Sequence, residues 1–431
     1  RSNRRAGQPR SAWALGDDRM TVMARNRRSE RRRRAAKGGL ALIAAMFALL
    51  VASYVEWLLG RVLLAVLMPM FGWLAFRQLV RPGGHPVLVY HSISEDQGWL
   101  PWADEIAVRP EDLDRHLRFL RRRGFRFIGT GEWVERRRAN RLDRDDLAIH
   151  FDDGYLDNWV AAAPILERHQ VPATIFVSLD FMAPQMPLRP TLAMREAGEV
   201  PPAMLQWGGY MSWDEARRLD GSRLIDIQPH GVDHARVPVS AQSVATLSSS
   251  NWREHAWLQW RNMPGSKTDW WRHDAPPAVN YGSAVPESAP ALAAPAWLGD
   301  RLEREDELAA RVRADLNRCI EAFQAHLGKT PRFFCWPENG VHSVSRRVAA
   351  DLGYIATTGG ANENRADEPA DVISRLHVGD RTLGLRNATA DLIYLYASIR
   401  CFQGYYYWYY LLLPMHGIRR LVKAARRRLG H

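Results

Sequence analysis

Cysteine is scarce in this chain of 431 residues: there are three, Cys319, Cys335 and Cys401, and no two are spaced as a CxxC pair. That excludes a cysteine zinc cluster and a disulfide framework, and so low and odd a count does not fix a redox compartment. Charge is missing from a second place, because between 38 and 76 the only charged residues are Glu56 and Arg61. A net excess of basic charge is also missing from the body of the chain. The net charge is +12, but residues 1–37 hold 13 Lys/Arg against three Asp/Glu, and residues 416–431 hold six Lys/Arg and no acid, which leaves the middle at −4. A nucleic-acid-binding domain carries its basic patch on the fold itself, so that class is excluded. No internal repeat is present, which removes solenoid architectures.

The uncharged run is longer than the roughly 18–20 residues that cross a bilayer. Its length, with no small-residue cleavage site after it, argues against a signal peptide. Arg25, Arg27, Arg28, Arg31, Arg32, Arg33, Arg34 and Lys37 precede it, and the positive-inside rule keeps that end in the cytoplasm of a bacterial-type inner membrane. Two topologies remain open. A single span near 39–59 places the rest outside the cytoplasm. A hairpin of 40–54 and 62–76, turning around Glu56 and Arg61 and followed by Arg77 and Arg81, returns it. The C-terminus repeats the theme: an aromatic run over 402–413 is followed by Arg419, Arg420, Lys423, Arg426, Arg427 and Arg428. Aromatics prefer the headgroup level and a basic tail prefers anionic lipid, so an interfacial segment is expected, the alternative being a helix packed on the domain. The expected plan is a basic cytoplasmic tail over 1–37, a membrane segment over 38–80, a globular domain over 84–385, and a membrane-interfacial tail over 390–431.

Within 84–385, strand-like runs at 86–90, 125–128, 147–151, 173–177, 224–227, 333–336, 354–357 and 373–378 alternate with helix-like runs. Leu113, Leu117 and Leu120 line one face of a helix over 110–123. Ser212 and Glu215 read as a capping box opening a helix to 219. This β–α order predicts an α/β fold with a mainly parallel sheet, closed as a barrel, with functional residues at the C-terminal strand ends. The segment 240–300, rich in Trp, Pro and Ala, breaks the rhythm and reads as an insertion over the active face.

Three strand ends carry candidate chemistry. The first is His150-Phe151-Asp152-Asp153-Gly154, where adjacent carboxylates on an extended chain point to opposite sides and can take different tasks. The second is His230-Gly231-Val232-Asp233-His234, whose imidazoles reach one metal ion if the segment coils. One Asp with two His is a three-ligand site with room for water, a catalytic rather than structural design. The third, Arg332-Phe333-Phe334-Cys335-Trp336-Pro337-Glu338-Asn339-Gly340, is by itself a Pro/Gly turn.

In this order the three segments resemble the NodB-homology polysaccharide deacetylases, carbohydrate esterase family four, over roughly 84–385, and look closest to the poly-N-acetylglucosamine deacetylase branch. The resemblance implies a distorted (β/α) barrel of that type. It implies metal ligation by Asp153, His230 and His234, with a divalent ion, most often Zn. It further implies Asp152 as general base, an oxyanion site on backbone N–H groups near the Asp-Asp-Gly and Pro337 turns, and Trp336 and Pro337 as an apolar wall for the acetyl or sugar. Tyr155 is a further candidate substrate contact, and His91 either faces the site or makes a structural hydrogen bond. His377 is the nearest candidate by order for the family's late histidine, the general acid, although its spacing departs from the pattern. Other departures are His150 for the usual Thr, Gln228-Pro229 before the first His, Glu338 in place of an aromatic, and Cys335 where an arginine is familiar.

The expected activity is therefore a membrane-anchored, metal-dependent N-deacetylase acting on an N-acetylated polysaccharide or a lipid-linked amino sugar, with exopolysaccharide synthesis or export proteins as partners. A catalytically inactive glycan-binding component of an export system has no use for Asp152. A deformylase on a polyprenyl-linked sugar is the third reading, favoured if the domain faces the cytoplasm.

Overall fold

The computed structural model describes residues 20–54, 57–263, 265–276 and 278–428. Residues 1–19 of the expected basic tail, Glu56 of the expected turn and residues 429–431 lie outside this set. The N-terminal region is two helices, α1 (Met20–Tyr54) and α2 (Trp57–Leu79), lying antiparallel against each other. Glu30–Tyr54 and Gly60–Leu79 are long and apolar enough to cross a membrane. Arg61 lies inside α2 rather than in a turn, so the expected connection around Glu56 and Arg61 is shorter than the sequence suggests. Small residues make the pairing close. A Cβ at Gly38 would come within 2.5 Å of the Leu79 side chain, and Ala45, Ala48, Ala52 and Ala75 are buried, as expected where apolar helices associate by backbone approach.

The domain is a ring of parallel strands. β1 (Val87–Tyr90) pairs with β2 (Asp146–Phe151), β2 with β3 (Ala173–Val177) and β3 with β4 (Ile225–Pro229). After β4 the chain makes an antiparallel pair, β5 (Arg236–Thr246) with β6 (Ala284–Pro290). It then returns to the ring as β7 (Phe333–Phe334), β8 (Ala356–Thr358) and β9 (Val372–Ile373), again parallel. Ser374 and Arg375 link β9 to β10 (Leu376–His377), which pairs with β1. The seam between β4 and β7 is closed by the Cys335 N–H donating to the Pro229 carbonyl at 3.1 Å. The Gln228 side-chain oxygen also accepts the N–H groups of Arg332 and Phe333, both at 3.0 Å. Gln228, which looked like a departure in the motif, is thus a clip across a gap that two-residue β7 leaves in the ladder.

Every residue of β1, β2 and β3 is buried, the composition expected of parallel strands covered on both faces. His150 has its ring between Thr130 Oγ1, at 3.0 Å, and Phe176. Burial lowers its pKa to about 3, so it is a neutral part of the outer core. Around the ring lie α3 (Pro110–Arg122), α4 (Thr130–Arg138), α5 (Ala163–Arg168), α6 (Trp213–Asp220), α7 (Glu305–Leu327) and α8 (Ser343–Asp351). Leu113, Leu117 and Leu120 are the buried stripe of α3. Both bonds of the Ser212–Glu215 capping box at α6 are made, at 3.2 and 2.8 Å.

The region expected as an insertion is ordered, and it begins earlier than 240. β5 and β6 frame a short helix, Trp257–Asn262, and Trp252, Trp257, Trp260 and Trp270 build a second apolar cluster with Trp99, Tyr155, Phe181 and Tyr210. Lys267 pins it to the barrel top through Asp180 at 2.8 Å, with Asp233 at 3.5 Å. The chain ends in α9 (Ala388–Phe402) and α10 (Tyr409–Arg428). Phe402 and Tyr406 are buried, with the Tyr406 hydroxyl donating to Glu363 at 2.8 Å, whereas Leu411 and Leu413 are exposed.

Candidate functional site

The C-terminal ends of β1, β2, β4 and β10 bring His91, Asp152, Asp153, His230, His234 and His377 to one end of the ring. β2 delivers Asp152 and Asp153 in sequence. Asp152 is still in register, its N–H donating to the Tyr90 carbonyl at 3.0 Å. Asp153 turns into the left-handed region at φ 76° and Gly154 follows at 72°. A Cβ on Gly154 would strike Val177 at 2.9 Å, so only glycine completes this turn. His234 is also left-handed, at φ 52°. Both residues are predicted ligands, two of the eight described non-glycine residues with positive φ, and strain of this kind, of order 1–3 kcal/mol each, persists where the surroundings fix it, commonly at functional sites.

The predicted ligand set comes together. Asp153 Oδ1 lies 3.2 Å from His230 Nε2 and 3.7 Å from His234 Nε2. His230 Nδ1 is 2.8 Å from the Cys335 carbonyl. A carbonyl only accepts, so this nitrogen carries the proton and Nε2 presents a lone pair to the site. A lone pair and a carboxylate oxygen at 3.2 Å repel each other unless a cation joins them, and Asp153 Oδ1 is buried without a hydrogen bond. The site therefore calls for positive charge. The His230 pKa reports the same demand: burial pulls it down, but Cys335, Asp153 and Asp152 hold it well above the ordinary value. Burial raises Asp153, and His230 beside it, with the charges of His234 and His91, overrides that and holds it below the usual carboxylate range. An N,N,O donor set suits a divalent transition metal. A second group of potential ligands, Asp152, His230 and Cys335, is wholly buried. Its carboxylate is held by an arginine and its thiol accepts from Thr358 at 3.4 Å, so it has no open position for water, whereas Asp153 and His234 are partly exposed.

Asp152 stands apart from the ligands. Its Oδ1 accepts from Arg375 Nη1 at 2.6 Å, both side chains being 4% exposed. Its Oδ2 is 3.9 Å from His91 Nε2. Burial raises the Asp152 pKa, but Arg375, with His230 and His91, holds it well below the usual range. One oxygen is anchored and the other is turned to the site as a charged acceptor. Sequence reasoning missed Arg375. The available signal was an arginine inside a strand-like run closing the ring, where a buried guanidinium requires a carboxylate partner.

Other expectations need correction. Trp336 is 0% exposed and stacks edge-on against Phe334 at 4.6 Å. It supports the site from below and offers no wall to a substrate. Pro337 is likewise buried, against Gly231. The Pro337 turn cannot hold an oxyanion with the N–H groups of Asn339 and Gly340, which close their own turn on Trp336 and Pro337. Glu338 is occupied by Arg236. Tyr155 is buried in the aromatic cluster, and burial and the charge of Asp153 raise its pKa far above the ordinary phenol. His91 faces the site, its ring 5.2 Å from that of His377. His377 is exposed at the rim.

Comparison with known proteins gives three findings. Residues 139–274 match the family model for polysaccharide deacetylases, a stretch that includes Asp152, Asp153, His230 and His234. YxkH of Bacillus subtilis (strain 168), whose name assigns it to the polysaccharide deacetylases, is 29% identical over 98 residues, 22% of this chain. The match spans about a third of that relative, 33% of its length. Among solved structures, a de-N-acetylase from Aggregatibacter actinomycetemcomitans is 20% identical with a TM-score of 0.47, covering 68% of this chain and 94% of that one. The BpsB deacetylase domain from Bordetella bronchiseptica has the same identity, 20%, and TM-score, 0.47, over 69% of this chain and 97% of its own.

Proposed function

On the premise that this chain carries a polysaccharide deacetylase domain, we propose that it is a metal-dependent N-deacetylase of an N-acetylated glycan or lipid-linked amino sugar, anchored to an inner membrane by α1 and α2. The observation that carries the reading is the convergence of Asp153, His230 and His234 on one point beside Asp152. Those three would hold a divalent ion, zinc being favoured by the donor set. When bound, the ion supplies Lewis acidity for the amide carbonyl and lowers the pKa of a water.

The chain's own residues supply the rest. Arg375 orients Asp152 and keeps it ionised. Asp152 Oδ2 takes the proton of the attacking water, His230 is locked by Cys335 in the tautomer that ligates, and the Trp336–Phe334 pair keeps that carbonyl in place. The amide C–N bond breaks, the water oxygen joins the acetyl carbon, and the proton returns to the amine, giving acetate and a free amino sugar. Exopolysaccharide synthesis or export proteins are the natural partners of such an enzyme. A glycan-binding role without catalysis has no use for the buried Asp152–Arg375 pair. The test is acetate release from N-acetylglucosamine oligomers by the full-length protein in detergent, before and after chelation, with metal add-back. Acetate release unaffected by removal of a bound metal counts against the reading, and release of formate from a formylated sugar instead would favour the deformylase.

A further inference from the structure

The helical hairpin is welded to the domain, and the weld determines which way the domain faces. At its base Arg31 Nε lies 2.8 Å from Glu363 and its guanidinium covers Phe402 at 5.3 Å. Arg32 donates to the Tyr409 hydroxyl at 2.8 Å, and the Tyr410 hydroxyl donates to the Ala35 carbonyl at 2.6 Å. From the other helix, the Arg81 N–H donates to Gly404 at 2.8 Å, and Arg365 returns two bonds, to the Arg81 and Pro82 carbonyls at 2.6 and 2.8 Å. A Cβ at Gly84 would fall 2.0 Å from the Phe402 carbonyl, and one at Gly404 1.8 Å from that of Arg81, so the two backbones touch. Both ends of the hairpin, the basic ends of α1 and α2, meet the domain at this one place. The opposite end presents Tyr54 and Val62, and Leu40, Ile43, Phe47, Leu50, Val66 and Trp73 are exposed along the shaft.

α10 continues from the same weld. Its outer face exposes Leu413 at 52% and Leu421 at 72%, beside Arg419 and Arg420. Apolar side chains flanked by cations fit an anionic leaflet. Its far end reaches the rim of the site. Lys423 lies 2.9 Å from Glu105 and Arg426 3.6 Å from Asp104. These acids belong to a turn leading into Ala107–Val108, which pairs with Ser92–Ile93 directly after His91.

We propose that the catalytic domain lies on the cytoplasmic face of the membrane, with α10 in the interface, and that its substrate is an N-acetylated amino sugar carried on a lipid in that leaflet. Sidedness follows from the positive-inside rule, because Arg31, Arg32 and Arg81, among the arginines that rule counts, are bonded to the domain. The carrier follows from α10, since a mouth held against the leaflet gains nothing with a soluble sugar nucleotide or an exported polymer. The substrate half rests on the deacetylase reading above; the sidedness half does not.

The test has two arms with the full chain. The natural cysteines are buried, so Tyr54→Cys and Ser249→Cys can be labelled separately with a membrane-impermeant maleimide in spheroplasts. Labelling of Tyr54→Cys before lysis and of Ser249→Cys only after it is expected; the reverse pattern overturns the proposal. In the second arm, protein in anionic vesicles is given N-acetylglucosamine as a polyprenyl phosphate conjugate, as a soluble oligomer and as its uridine diphosphate. Acetate release about tenfold or more faster from the conjugate is expected, as confinement to one surface raises effective concentration. Equal or faster release from either soluble form overturns the lipid carrier. No acetate from any of the three, with Ser249→Cys protected until lysis, removes the deacetylase reading and the carrier with it, while the sidedness stands.

Discussion

Asp152 and Asp153 are neighbours in sequence with opposite duties, because an extended strand turns consecutive side chains apart. Asp152→Asn keeps the shape and the Arg375 contact but loses the acceptor. It should retain bound metal and lose about 10²–10⁴-fold in turnover, measured as acetate release beside elemental analysis; wild-type turnover would remove Asp152 from the chemistry. His230→Ala should lose both metal and activity with unchanged circular dichroism, since a three-ligand site weakens steeply without one ligand, and full metal occupancy would refute the assignment. A third residue gives a pH signature outside the site. Asp157 is buried, bonded to Ser92, the Ile93 N–H and Asn158, and burial raises its pKa to about 7. The folded state therefore binds a proton that the unfolded chain, with a pKa near 3.8, releases. Its contribution to stability is present below the unfolded value and is lost as pH rises toward 7. Asp157→Asn can keep the Ile93 bond and donate to Ser92, so the melting temperature of the variant should gain on wild type as pH rises from about 4 to 7. An unchanged difference across that range would show that Asp157 does not titrate there.

The elements were legible in proportion to their apolar periodicity. β3 and the α6 capping box stand where the sequence puts them, because an all-apolar run and a Ser-x-x-Glu spacing are local signals. β7 reads longer in sequence than it is, because the strand ends where Cys335 and Trp336 begin serving the site. The gap this leaves makes Gln228 an element-scale test. Gln228→Ala strands the N–H of Phe333 in a buried seam, at about 1–3 kcal/mol, and frees that of Arg332 at its edge. A fall of several degrees in melting temperature with metal affinity retained is expected, and an unchanged melting temperature would mean that the seam closes without its clip. The Trp-rich segment reads in sequence only as an insertion that breaks the rhythm, because aromatic residues without a clear period carry no secondary-structure signal; its packing on Tyr155, Phe181 and Tyr210 is a tertiary feature.

At the scale of the molecule, the helical hairpin and the domain share one polar junction, with Glu363 and Arg365 buried between Arg31, Arg81 and Tyr406. The full chain should stay with membranes in about 1 M salt, because a hydrophobic hairpin is indifferent to screening, and should require detergent. Recovery in the soluble fraction after a salt wash would remove the anchor. Deleting residues from 402 onward should not yield a tractable soluble domain, since Phe402 and Tyr406 fill the junction; thermal unfolding of that truncation should begin well below that of the full chain.

The sequence by itself determined the class of the fold, the apolar segment, the basic ends, and the Asp-Asp and His-x-x-x-His pairs, because each is written in residues close along the chain, where periodicity and spacing act. Only the tertiary structure decided that Arg375 holds Asp152, that Trp336 lies beneath the site, that the apolar segment folds back as a hairpin, and that its arginines close on Glu363. Arg375 and Asp152 are 223 residues apart and Arg31 and Glu363 are 332 apart, and what pairs them is the cost of leaving a buried charge alone, a cost that arises only once the ring has closed.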